Sequence, residues 1–182
     1  MRIRSKLIFS LIGIMVLFLL IMTWFYPYSP FSLHKSFTYK PDQKVVQGYV
    51  KDIEEFKTFK KKVDGTTDQL RYVLETYEQD WLMSESSMKM DEQQLNLILF
   101  EVKETRQLLL DLVAQQDYTK EEKEYLIHTI QTLLTIEDSI TNIKAQPMLS
   151  KGKLETQFDN LHQKFISSFF VFRSFYEVAH ED

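Results

Sequence analysis

The sequence predicts an all-α chain: an N-terminal transmembrane helix followed by an antiparallel up-and-down bundle of about four long helices with coiled-coil-like heptads. Three observations carry that expectation. Only four glycines and four prolines occur in 182 residues, and the prolines (Pro27, Pro30, Pro41, Pro147) leave long stretches free of helix breakers. Apolar side chains recur at three- and four-residue spacings within those stretches. An almost unbroken apolar run opens the chain.

That run, Leu7 to Tyr26, spans about 30 Å as a helix, the thickness of a bilayer's hydrocarbon core. Leu7 and Leu11 fall on one face of it and Val16 and Leu20 on the opposite face, and the run between them is almost continuously apolar. Arg2, Arg4 and Lys6 precede it, and the positive-inside rule then places the N-terminus in the cytoplasm. Trp24, Phe25 and Tyr26 form an aromatic belt at the outer interface, where Pro27 and Pro30 stop the helix. A cleaved signal peptide has a shorter apolar core and a small-residue exit, whereas this exit is bulky. The stretch from Phe165 to Val178 is too short and too polar for a second span. The expected organisation is a cytoplasmic tail (1–6), an anchor (7–26), an irregular juxtamembrane linker (27–41) and an extracytoplasmic bundle (42–182).

The first bundle helix starts near Pro41 and Asp42. Val46, Tyr49, Ile53, Phe56, Val63, Leu70, Leu74, Tyr77 and Trp81 then keep one seven-residue phase. The segment Asp64-Gly65-Thr66-Thr67-Asp68 consists of mediocre or poor helix formers, and Thr66 with Gln69 fits a capping box, so local chemistry argues for a break. The preserved phase argues for a continuous or kinked helix, the reading adopted. Met83 to Met90 reads as a polar connection. A second helix covers about 91–116, with Leu95, Ile98, Val102, Leu109 and Leu112 as its stripe and Thr105 filling the gap. Thr119 and Glu122 form a capping box opening a third helix to about Ala145, with Leu126, Ile130, Leu133, Ile136, Ile140 and Ile143 inward. The last helix, about 152–179, turns Leu154, Phe158, Leu161, Phe165, Phe169, Phe172 and Tyr176 to one side.

Chemistry-bearing patterns are weak. The chain has no cysteine, which excludes disulfides, thiolate chemistry and cysteine metal sites. Net charge is −4, and three of the 22 basic residues precede the anchor, so the remainder is more acidic still and unsuited to nucleic acid. Asp159-x-x-His162 and Glu177-x-x-His180 imitate half of a carboxylate-bridged di-metal pattern. Phe158, Leu161 and Phe165 claim the interior, however, which puts Asp159 and His162 on a solvated flank. Glu124 and His128 read as a surface pair, and neighbouring acids such as Glu54-Glu55 diverge on a helix. The basic run at Lys57, Lys60, Lys61 and Lys62 reads as a solvated face. No nucleophile-elbow, metalloprotease or P-loop motif occurs. No enzyme, cofactor or metal is therefore expected.

The aromatic residues of the last helix are too many for one face. Ile166, Phe170 and Val171 lie away from the stripe and form the candidate interaction face. The layout resembles the front half of a bacterial transmembrane receptor, in which a second span and a cytoplasmic output module follow the bundle; the resemblance covers layout alone. The functional expectation is a non-enzymatic envelope protein acting through a protein partner or self-association. The alternative is a ligand-sensing or ligand-binding bundle holding an apolar or aromatic molecule between its helices, motivated by the 14% aromatic content.

Overall fold

Helix α1 (Arg2–Phe25) stops immediately before the pair Tyr26-Pro27, where the proline ring disfavours helical geometry for the residue before it. The computed structural model describes residues 2–62, 68–115 and 118–179, and side chains within 6–59, 70–114 and 118–179. Those residues are mostly helical. After α1 come strand β1 (Ser36–Tyr39), helices α2 (Gln43–Lys62), α3 (Asp68–Tyr77) and α4 (Asp80–Met83), strand β2 (Met88–Asp91), and helices α5 (Glu92–Gln115), α6 (Lys120–Ala145) and α7 (Lys151–Val178). The segment Lys6–Phe25 of α1 is long and apolar enough to cross a membrane: it has a mean hydropathy of 2.7 and only 6% of its best window is buried by the rest of the chain.

The long helices begin where local chemistry starts them. Asp42 Oδ1 accepts the amide of Lys44 at 2.8 Å, ahead of α2. Asp91 Oδ1 accepts the amide of Gln94 at 3.0 Å at the head of α5. Thr119 and Glu122 form the reciprocal capping box at the head of α6. The apolar stripes expected for α5, α6 and α7 are all buried. Each fully buried Leu, Ile or Phe contributes about 1.5–3 kcal/mol of transfer free energy.

Cross-helix pairs give the directions. Arg106 pairs with Glu137, and Lys144 with Asn96, so α5 and α6 run in opposite directions. Thr132 meets Ser168 at 2.7 Å and Lys164 meets Ser139 at 2.6 Å, so α6 and α7 do the same.

The continuous or kinked first helix is overturned. In one helix, Tyr49 and Tyr77 would stand about 42 Å apart. Instead the Tyr49 hydroxyl donates to the Tyr77 carbonyl at 2.8 Å, and Lys57 Nζ lies 3.2 Å from Glu78 Oε1. The chain doubles back between α2 and α3. Residues 63–67 lie outside the described residues, and the capping box of Thr66 with Gln69 lies outside the described side chains. One heptad phase persists through 46–81 because both arms turn their apolar face to α7: Phe56 and Tyr77 both touch Phe169 and Phe172.

The irregular linker and the polar connection need a second correction. Part of each pairs with the other as an antiparallel ribbon, with Ser36 opposite Asp91 and Tyr39 opposite Met88. Phe37 and Tyr39 face inward and Thr38 outward, the two-residue alternation of a half-buried strand. Phe37 stacks on Phe158 at 5.4 Å, which fixes the ribbon to α7.

Candidate functional site

Three regions could carry function. The first is the exit of α1. Leu7, Leu11, Val16 and Leu20 are exposed around the helix, as are Trp24 and Phe25, while Tyr26 is half-buried. Lys6 is exposed, and the side chains of Arg2 and Arg4 fall outside the described residues. The chain does not leave α1 as a loose tether. Phe31 folds back so that its ring meets Phe18 edge-on at 5.5 Å, and Thr23 Oγ1 accepts the amide of Leu33 at 3.0 Å. Lys151, in the first turn of α7, stands over the Trp24 ring at 5.2 Å. Tyr28 donates to the Met90 carbonyl at 3.0 Å and ties this exit to β2.

The second region is an open groove of about 710 Å³ between α3 and α5. Tyr72 and Phe100 stand at its sides, 53% and 60% exposed. Glu75, Glu78, Asp80, Glu101, Glu104 and Asp111 line it. Lys57 pairs with Glu78, and Arg71 approaches Glu75 at 3.9 Å, which leaves the groove strongly acidic. Partial burial pushes the Glu101 carboxyl above the usual carboxylate range. The floor carries Thr76 and Thr105, whose hydroxyls meet in a buried hydrogen bond. This groove was not anticipated from the sequence; its carboxylates come from two segments distant along the chain.

The third region is the back of α7. Phe170 is 39% exposed, with its ring against Phe169 at 5.7 Å. Ile166 and Val171 are half-buried, and Ile166 packs on the core. Phe170 is thus the exposed member of the expected face. The remaining rings of α7 are occupied with one another and with their neighbours. Trp81 lies edge-on to Phe165 at 5.2 Å and Phe56 to Tyr176 at 5.1 Å.

His162 is placed differently from the solvated flank expected of it. It is 2% exposed, covered by β1, and its Nδ1 lies 3.2 Å from the Tyr39 hydroxyl. That hydroxyl also donates to Asp159 Oδ1 at 3.2 Å. Burial lowers the His162 pKa below its ordinary value, against the smaller upward pulls of the Leu82 backbone and the Asp159 charge. Burial likewise raises the Tyr39 hydroxyl, with the Asp159 carboxylate adding to it. This cluster joins a strand to a helix, and Trp81 and Tyr49 close over the ring.

Other charged candidates resolve as surface chemistry. Glu124 pairs with Lys120 at 3.7 Å beside His128 in an open depression. Lys57 of the basic run pairs with Glu54 and Glu78, and the side chains of Lys60, Lys61 and Lys62 lie outside the described residues, as does His180. Among the described residues, no three His, Asp or Glu side chains converge so as to hold a metal ion. Compared with known proteins, the chain matches no family model, no curated protein and no solved structure.

Proposed function

We propose that the chain is a single-pass, non-enzymatic protein of the bacterial cell envelope that works by docking another protein. In this reading α1 anchors it in the cell membrane with the N-terminus in the cytoplasm. The remaining helices act outside the cytoplasm as an up-and-down bundle with heptad-like seams. One observation carries the proposal: the α3–α5 groove holds two exposed aromatic rings beside a dense set of carboxylates. Exposed aromatics in a concave, polar-rimmed patch are the usual anchors of a protein interface. The charge favours a basic segment as the partner, because complementary potential speeds encounter and fixes register. Phe170, exposed on α7, is a second, smaller contact point, where self-association or a partner helix would engage that helix.

The test is site-specific photo-crosslinking in living cells, with the probe at Phe100 and at Phe170, and at exposed Gln131 on α6 as control. A species of defined mass at position 100, lost when Glu101 and Glu104 are both replaced by lysine, supports the docking role. Its mass separates a second copy from a different protein. Equal yields at positions 100 and 131, insensitive to the charge reversal, overturn it.

A further inference from the structure

The exit of α1 reads most simply as a short tether, yet it is folded, and folded back toward the helix it has just left. Phe18 stands about 10 Å below the Phe25 end of α1 along the helix axis. Phe31 reaches down to that ring, at 5.5 Å. If α1 spans a bilayer, Phe31 is carried below the outer interface with it.

The backbone of this return is suited to such a place. Two prolines, Pro27 and Pro30, remove two amide donors. The amides of Tyr26, Ser29 and Ser32 donate to carbonyls of Met22, Tyr26 and Ser29. Those of Phe31, Leu33 and Lys35 donate to the hydroxyls of Ser29, Thr23 and Ser32. Six donors are thus answered within the turn and α1, which a lipid environment demands and water does not. Two of the side chains turned outward here are large and apolar, Phe31 at 51% and Leu33 at 62% exposed, and the exposed His34 and Lys35 follow them. The α6–α7 connection, whose Pro147 lines one recess with Pro30, presents Met148, 52% exposed, and Lys151 beyond it covers Trp24. Lys35 and Lys144 line an adjoining recess of about 230 Å³ with Glu92 as its one lining carboxylate. Exposed apolar side chains flanked by lysines are the pattern of a segment lying in an anionic membrane surface.

We infer that Phe31, Leu33 and Met148 form a foot that inserts into the outer leaflet, so that the helical domain is seated on the bilayer in one orientation and does not swing on a linker. This rests on the reading of α1 as a membrane span. The occupant of the apolar patch is the same bilayer, because the patch is continuous with the exposed surface of α1 through Phe18 and Trp24.

The absence of cysteine makes the test clean. Single cysteines at Phe31, Leu33 and Met148, with Leu11 and Ser86 as lipid and water references, are labelled with an environment-sensitive fluorophore. The full-length protein is placed in nanodiscs of phosphatidylethanolamine and phosphatidylglycerol. Leu33 and Met148 are exposed, so these two variants report even if Phe31→Cys perturbs the turn. The expected result is blue-shifted emission at all three foot positions. Quenching by lipids bearing a nitroxide high on the acyl chain should be severalfold stronger than at Ser86, and quenching by iodide severalfold weaker. Iodide access equal to Ser86, while Leu11 remains quenched by lipid, overturns the foot and leaves the anchor standing. Protection from both quenchers means that protein covers the patch, which also overturns it. Iodide access at Leu11 removes the anchor reading itself, and the foot with it.

Discussion

The Tyr39 hydroxyl and His162 Nδ1 lie 3.2 Å apart in the interior, and through them strand β1 is hydrogen-bonded to helix α7. The same hydroxyl donates to Asp159 Oδ1, so its one proton goes to the carboxylate and its oxygen faces the ring. Burial lowers the folded-state pKa of His162. The folded protein therefore takes up this proton less readily than the unfolded chain, whose histidine titrates near ~6.5. The stabilisation is complete above that unfolded value and is lost as pH falls from there towards the folded value. Asp159 opposes the effect by favouring the charged ring, with less weight than burial. Urea unfolding of the full-length protein in detergent micelles should show a falling midpoint between about pH 7 and about pH 5. The His162→Gln variant should have a flatter profile across that range. Parallel profiles for the two proteins would remove His162 as the titrating group.

A second buried pair makes a prediction without charge. Thr105 interrupts the apolar stripe of α5, and the hydroxyl it places there meets Thr76 of α3. Replacing either threonine by valine leaves the other hydroxyl buried and unanswered, at a cost of about 1–3 kcal/mol. Replacing both removes the need along with the partner. The double variant should be more stable than the sum of the single losses implies, by about 1 kcal/mol or more in a double-mutant cycle. Additive losses would show that the hydroxyls are energetically independent.

The burial contrast along α7 separates core from surface within one turn and a half. Phe165 is fully buried against Trp81, whereas Phe170 is 39% exposed. Phe165→Ala should cost about 3–5 kcal/mol through lost burial and the cavity it leaves. Phe170→Ala should stay within about 1 kcal/mol, so that any loss of crosslinking or function in that variant is attributable to contact with a partner. A comparable loss of stability in both would make Phe170 a core residue.

Local and helical features were legible in the sequence because their causes are close along the chain. The Thr119–Glu122 box and the stripes of α5, α6 and α7 rest on residues three or four apart. The ribbon was not, because Ser36 pairs with Asp91 and the strands are four residues each, too short for alternation to stand out. That one omission displaced His162. Helical-wheel reasoning places it on the flank of the α7 stripe, and it is β1, through Tyr39, that covers the flank. The reversal between α2 and α3 was hidden for a different reason: two arms serving one core keep the same phase as one long helix would. The α3–α5 groove was not legible because its lining joins residues 72–80 to 100–111, and no local pattern shows which side chains two packed helices leave exposed between them.

Topology is the remaining consequence of the N-terminal segment. Arg2, Arg4 and Lys6 stand directly before the apolar run, and the positive-inside rule keeps such a flank in the cytoplasm. On the proposed topology the helical domain lies outside, on the side of Trp24 and Phe25. Because the chain has no cysteine, one cysteine at a time can report on each side. Ser86, between α4 and β2, is exposed. In intact cells, Ser86→Cys should react with a membrane-impermeant maleimide, and Ser5→Cys should react only after the membrane is opened. The reverse pattern would put the domain in the cytoplasm and end the envelope reading. Reaction at Ser86 with no membrane-bound protein recovered would mean that the N-terminal helix is removed after export, as a signal sequence is.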